Sequence, residues 1–292
     1  MGGGAWTHDS YVSHSTTTRG FASMDSFKSA STSQLYTQRH LDECLNPYGV
    51  IRECCDSDEH PNTIPVILAL DVTGSMGDAA SAIATQLGDI MSELYKQFKD
   101  IEFMTMAIGD LSYDDSPIQA SQFESDIRIA DQLSKIYFEG RGGGNSWESY
   151  TSAWYFGLHH TKLDCWKRNR KGIIITLGDE MLNPYLPQGP LTRVLGDPLQ
   201  GDVDTTELYS EVCKKFDIYH IAVNDSRTAY SYYADRIKES FGNLLKGNLK
   251  ISDCNRLGQT ISEIISESLN GVSTTASDST DVDSGSDTLI CW

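Results

Sequence analysis

Pro65-Val66-Ile67-Leu68-Ala69-Leu70-Asp71-Val72-Thr73-Gly74-Ser75-Met76-Gly77 decides how this 292-residue chain folds. An apolar run that closes on an aspartate reads as a parallel strand buried on both faces, since a half-exposed strand would alternate with polar residues. Gly74 and Gly77 mark a tight turn. Asp78 to Lys96 then carries apolar residues at Ile83, Leu87, Ile90, Met91, Leu94 and Tyr95, the spacing of a helix. This strand–turn–helix puts the Asp71 carboxylate and the Thr73 and Ser75 hydroxyls at the carboxyl end of a central strand, where open α/β sheets place their ligands. Oxygen donors of this kind suit a hard divalent cation, Mg²⁺ above all, with Mn²⁺ or Ca²⁺ as alternatives. One carboxylate and two neutral alcohols would leave the ion electrophilic.

The alternation continues along the chain. Ile101 to Ile108 reads as a strand, Phe123 to Tyr137 as mostly helical and Ser149 to His160 as a helix. Ile173 to Leu177 is a strand running into Gly178-Asp179-Glu180. Glu207 to Phe216 reads as a helix that feeds the strand Ile218 to Val223. Ala229 to Phe241 is another helix, Leu249 to Ser252 a short last strand, and Leu257 to Leu269 the closing helix. The expected class is α/β: a doubly wound, mostly parallel central sheet flanked by helices on both faces. Residues 1–45 read as a Ser/Thr/Gly-rich extension whose scattered aromatics lie along a surface. Residues 46–270 form the domain, and 271–292 an acidic disordered tail ending in the apolar Leu289-Ile290-Cys291-Trp292, suited to pinning back on the domain or to docking. The proline-rich stretch Asn183 to Asp204 is expected to be a long specificity loop beside Asp179.

Asp71, Thr73 and Ser75 resemble the first motif, Asp-x-Ser/Thr-x-Ser, of the metal-ion-dependent adhesion site (MIDAS) of von Willebrand factor A (VWA) domains. The resemblance spans roughly residues 62 to 270. Gly142-Gly143-Gly144-Asn145-Ser146-Trp147-Glu148 and Gly178-Asp179 look like the second and third metal loops of a glycine-rich branch, with intracellular bacterial and phage members. Integrin-type domains carry threonine in the second loop, and many of the glycine-rich branch carry aspartate; the neutral Asn145 departs from both. The resemblance implies a Mg²⁺ held by Asp71, Thr73 and Ser75, with Asn145 and Asp179 completing the metal set. It further implies a protein partner whose Asp or Glu completes the coordination, within an assembly that includes an ATPase or kinase component.

Composition narrows the classes. The formal net charge of −18 argues against nucleic acid, whose phosphates demand a basic face. Four of the aspartates lie in 271–292 with no basic residue beside them. No stretch approaches the ~18 uninterrupted apolar residues of a membrane span, and Met1-Gly2-Gly3-Gly4-Ala5-Trp6-Thr7 does not read as a secretory signal. Seven cysteines without a C-x-x-C pair read as reduced thiols, which places the chain in the cytoplasm. Enzyme templates fit poorly: a nucleophile elbow needs glycine two residues before Ser75, where Thr73 stands. The expectation is a non-enzymatic, metal-dependent protein-binding module. The alternative is an assembly protein in which the metal only staples loops, with a metal-dependent hydrolase third.

Overall fold

The computed structural model describes residues 4–140 and 146–274. Six strands form the central sheet: β1 (Ile64–Asp71), β2 (Ile101–Ile108), β3 (Ile118–Ala120), β4 (Gly172–Gly178), β5 (Phe216–Val223) and β6 (Leu249–Ser252). Their order across the sheet is β6-β5-β4-β1-β2-β3, parallel except for β3, which runs antiparallel to β2. The chain builds outward from β1 to one side and then, from β4, to the other. The order therefore reverses between β1 and β4. The α-helices are α1 (His8–Ser13), α2 (Gly77–Gln97), α3 (Arg128–Ser134), α4 (Thr151–His159), α5 (Gln188–Leu195), α6 (Thr205–Val212), α7 (Tyr230–Leu245) and α8 (Leu257–Thr274), with two shorter ones, Met24–Lys28 and Thr32–Leu35, between α1 and α2.

Alternation along buried strands sorts side chains to two cores. Val66, Leu68 and Leu70 of β1 face Ile83, Leu87 and Met91 of α2 and Ile261 and Ile265 of α8. Ile67 and Ala69 point the other way, to Trp154 and Phe156 of α4, Leu208 of α6 and Phe241 of α7. Each large side chain so buried contributes about 1.5–3 kcal/mol of transfer free energy. The mostly parallel α/β expectation is met by this arrangement.

Several local readings change. The amino-terminal stretch, expected to lie along a surface, packs as a helical layer on α2 and goes deeper, burying Trp6, Tyr11, Phe27, Leu35 and Tyr36 in the first core. Tyr11 donates its hydroxyl to the Ala84 carbonyl at 2.9 Å and Tyr36 to that of Ala80 at 2.9 Å. Gly88 makes this possible, because a Cβ there would overlap the Tyr11 ring. Their spacing has no period, so sequence pattern does not reveal the packing. The long loop Asn183 to Asp204 holds α5, whose Leu191 and Leu195 are buried one turn apart. Pro190 sits in its first turn, where no backbone donor is needed. The helix expected to reach Phe216 stops at Val212, and Phe216 opens β5. Among the described residues no helix is long and apolar enough to cross a membrane. The tail from residue 275 onward and the glycine loop 141–145 lie outside the described residues.

Candidate functional site

The carboxyl ends of β1 and β4, where the sheet order reverses, bring together residues far apart in sequence. Leu70 pairs with Leu177 across the two strands, so Asp71 and Asp179 emerge side by side. Asp71 is fully buried. One of its oxygens accepts from the Thr73 amide at 2.8 Å and the Thr73 hydroxyl at 2.6 Å; the other accepts from the Tyr150 hydroxyl at 2.9 Å. Burial, reinforced by the neighbouring Asp179 charge, pushes the Asp71 carboxyl up to about 8. Asp179 accepts from the Ser75 hydroxyl at 3.1 Å and from the Ala229 amide, at the start of α7, at 2.5 Å. Its carboxyl is also raised by burial.

Tyr150 is the residue that sequence reasoning missed. It is completely buried at the start of α4, and its hydroxyl both donates to Asp71 and accepts from the Glu180 amide at 3.2 Å. Gly178 is the reason it fits: a Cβ there would coincide with the Tyr150 hydroxyl. No local signal announces a contact made across 79 residues.

Further carboxylates surround this pair. Trp147-Glu148 pairs in parallel with Met181-Leu182, which brings Glu148 beside the segment carrying Glu180. Glu148 is buried, and its Oε2 has no hydrogen-bond partner among the described residues. Burial pushes its carboxyl up to about 11, helped by the charges of Asp71, Glu180, Asp114 and Asp110. Glu180 rises to about 7 by burial and then through Asp179 and Asp110. Asp114, which accepts from the Asp110 amide at 2.7 Å, rises to about 6, again chiefly by burial. Next to Ser75 a cleft of about 340 Å³ opens, with Gly74, Asp78 and Arg227 on one side and Thr32 and Phe138 on the other.

Of the expected metal residues, Asp71, Thr73, Ser75 and Asp179 therefore meet, while Asn145 lies outside the described residues. What they form is a hydrogen-bonded cluster. Both hydroxyls donate to carboxylates, and each oxygen of Asp71 and Asp179 already accepts a bond. Among the described residues no group of three or more His, Cys, Asp or Glu is arranged to hold a metal ion.

No family model and no curated protein matches this chain. It is similar to several solved structures. One is the pilus adhesin SpaC of Lactobacillus rhamnosus GG, at 12% identity and TM-score 0.48, over 75% of this chain and 32% of that one. Another is the PilB minor pilin of Streptococcus sanguinis, at 12% and 0.46, over 72% and 63%. A third is proximal thread matrix protein 1 of the mussel byssus, at 11% and 0.44, over 75% and 47%. The chain thus spans about a third of the adhesin and less than two thirds of the other two, and likeness at this level carries no functional argument. The expectation of a VWA domain with a MIDAS, acting through Mg²⁺ on a partner's carboxylate or stapling loops with it, is corrected here. No family model supports it, and the described residues hold no group of three or more His, Cys, Asp or Glu that could bind a metal ion.

Proposed function

We propose that this chain is a non-enzymatic binding module whose acidic carboxyl edge receives a cationic group, the lysine or arginine side chain of a protein partner. The observation that carries the reading is Glu148: a buried carboxylate with an unpartnered oxygen, set among Asp71, Asp110, Asp114 and Glu180. Carboxylates raised by burial and by one another lose that penalty when a cation arrives. Exposed aromatics, Tyr113 and Tyr185 from the connections and Tyr232 from the first turn of α7, supply faces that attract a cation. The net charge of −18 speaks for a basic partner and against nucleic acid. The six described cysteines are free, which supports a reducing compartment.

The test is calorimetric titration of the full chain, in chelator, with hexalysine, hexaarginine and an uncharged Gly/Ser peptide. Saturable binding of the basic peptides, weakened at least tenfold by Glu180→Gln with Asp114→Asn, is expected. Glu93→Gln with Glu267→Gln removes the same charge from distant helices and should leave affinity within twofold. Equal losses from both pairs would mean bulk attraction and overturn the site.

A further inference from the structure

The amino edge of the sheet carries a second depression. A groove of about 730 Å³ opens between the residues before β1, the turn before β4, the end of α2 and the last turns of α8. Ile64, Phe98 and Leu269 make it apolar, and Arg168, Arg170 and Lys171 stand along its rim. Arg168 pairs with Asp56, and Lys171 with Asp217 at 3.1 Å. Arg170 is exposed and makes no ion pair among the described residues, and the same holds for Lys99, next in sequence to Phe98. In a chain of net charge −18, positive charge without an ion pair among the described residues thus stands at this lip.

α8 ends at Thr274, about one turn past the groove residues Leu269 and Asn270. The sequence then continues through Asp278, Asp281, Asp283 and Asp287, without lysine or arginine, to Leu289, Ile290 and Trp292. We propose that the segment 275–292 folds back into this groove, its aspartates against Arg170 and Lys99 and its apolar residues against Phe98, Ile64 and Leu269. Three features converge on that occupant: where the segment leaves the domain, the sign of its charge, and its apolar close. Reach does not limit it, since the fifteen residues 275–289 can span at most about 50 Å. Exposed ion pairs contribute only ~0–1 kcal/mol each, so the aromatic and aliphatic side chains supply most of the affinity and the aspartates the orientation. A short tether gives an effective concentration in the mM range. A contact of only mM affinity is then about half occupied. This inference stands independently of the cationic ligand assigned to the opposite edge.

Hydrogen exchange read by mass spectrometry, comparing the full chain with a chain ending at Thr274, tests the proposal. Removal of the segment should raise exchange at least threefold in 62–64 and 165–173 and leave the carboxyl-edge peptides unchanged. A full-length Arg170→Glu, Lys99→Glu chain should lose the same protection. If the deletion loosens the whole domain, this charge-reversed chain decides, and retained protection at the groove overturns the proposal. Zero-length carbodiimide coupling of the dilute full chain should join Asp278–Asp287 to Lys99 or Lys171 within one molecule. Coupling only between molecules would assign the groove to a second copy, and coupling only to Lys28 or Lys135 would place the segment elsewhere; either result overturns the proposed seat.

Discussion

The two ends of the same sheet carry opposite chemistry. At the carboxyl ends of β1 and β4 the chain gathers Asp71, Asp179, Glu148 and Glu180, while at the amino ends Arg168, Arg170 and Lys171 rim an apolar groove. The polarity of a parallel α/β fold explains the division. Helices returning from each strand start at the carboxyl edge and finish at the amino edge. Their partial positive charge therefore meets acids at one end and their partial negative charge meets bases at the other. The Ala229 amide at the start of α7, donating to Asp179, is a direct instance. Net charge alone hides this division, because −18 is a sum over two unlike surfaces.

The contrast is broken most forcefully by adding one methyl group at each end of β4. At the carboxyl end Gly178→Ala drives a Cβ into the buried Tyr150 hydroxyl, with no room for the ring to move. We expect a loss of about 3 kcal/mol or more in urea unfolding, at the upper end for overpacking. At the amino end Gly172→Ala meets the buried Phe216 ring at 2.7 Å and Pro65 at 3.2 Å, a lesser overlap than at Gly178, and about 1 kcal/mol is expected. Equal losses would show that the carboxyl cluster is no more tightly specified than the opposite end.

Acid titration gives the next effect. His220, buried on β5, shares a proton with Thr176 at 2.8 Å and stacks on Phe241 at 3.9 Å; burial lowers its pKa from 6.5 to about 3. Between those values the unfolded chain binds a proton that the folded chain refuses. Stability therefore falls as pH drops below about 6.5, by up to ~1.4 kcal/mol per pH unit from this group. The buried carboxylates act in the opposite sense, since their raised pKa values favour folding at low pH. Comparison with His220→Gln isolates the histidine: the difference in unfolding free energy between the two proteins should shrink steadily from pH 6.5 towards 4. A constant difference would mean that His220 is protonated when folded.

Tyr150→Phe removes one hydroxyl and leaves an Asp71 oxygen and the Glu180 amide without partners. About 1–3 kcal/mol should be lost in the same assay, the cost of buried unpaired polar groups. The smallest effect belongs to the amino edge, where Arg170→Ala should change stability by less than about 0.5 kcal/mol, as for an exposed side chain with no ion pair among the described residues. A larger loss would mean that Arg170 already holds part of the domain together.

Much of this frame was legible. An unbroken apolar run closing on Asp71, and another closing on Gly178-Asp179, announce two buried parallel strands whose ends must be neighbours if the strands are. That inference holds because register is set by backbone pairing and by burial on both faces. The chemistry at those ends was less legible. A triplet of Asp, Thr and Ser has the same spacing whether its hydroxyls face an ion or donate to carboxylates. Only the third dimension shows Thr73 turned onto Asp71, and Ser75 onto Asp179. Tyr150 was invisible for a related reason: its role depends on α4 docking beneath β4, and nothing near it in sequence encodes that contact. The aromatics of the amino-terminal layer escaped because irregular helices of four to six residues carry too few turns to show a period.

The outermost strands of the sheet have three residues in β3 and four in β6. An incoming chain seeking to extend the sheet finds on either flank only a few unpaired amides and carbonyls, too few to register a stable new strand. The eight-residue strands β1, β2 and β5 each have a neighbour on both sides, β2 and β5 over part of their length on the outer side. Resistance to edge-to-edge aggregation is thus written into the lengths of two minor elements.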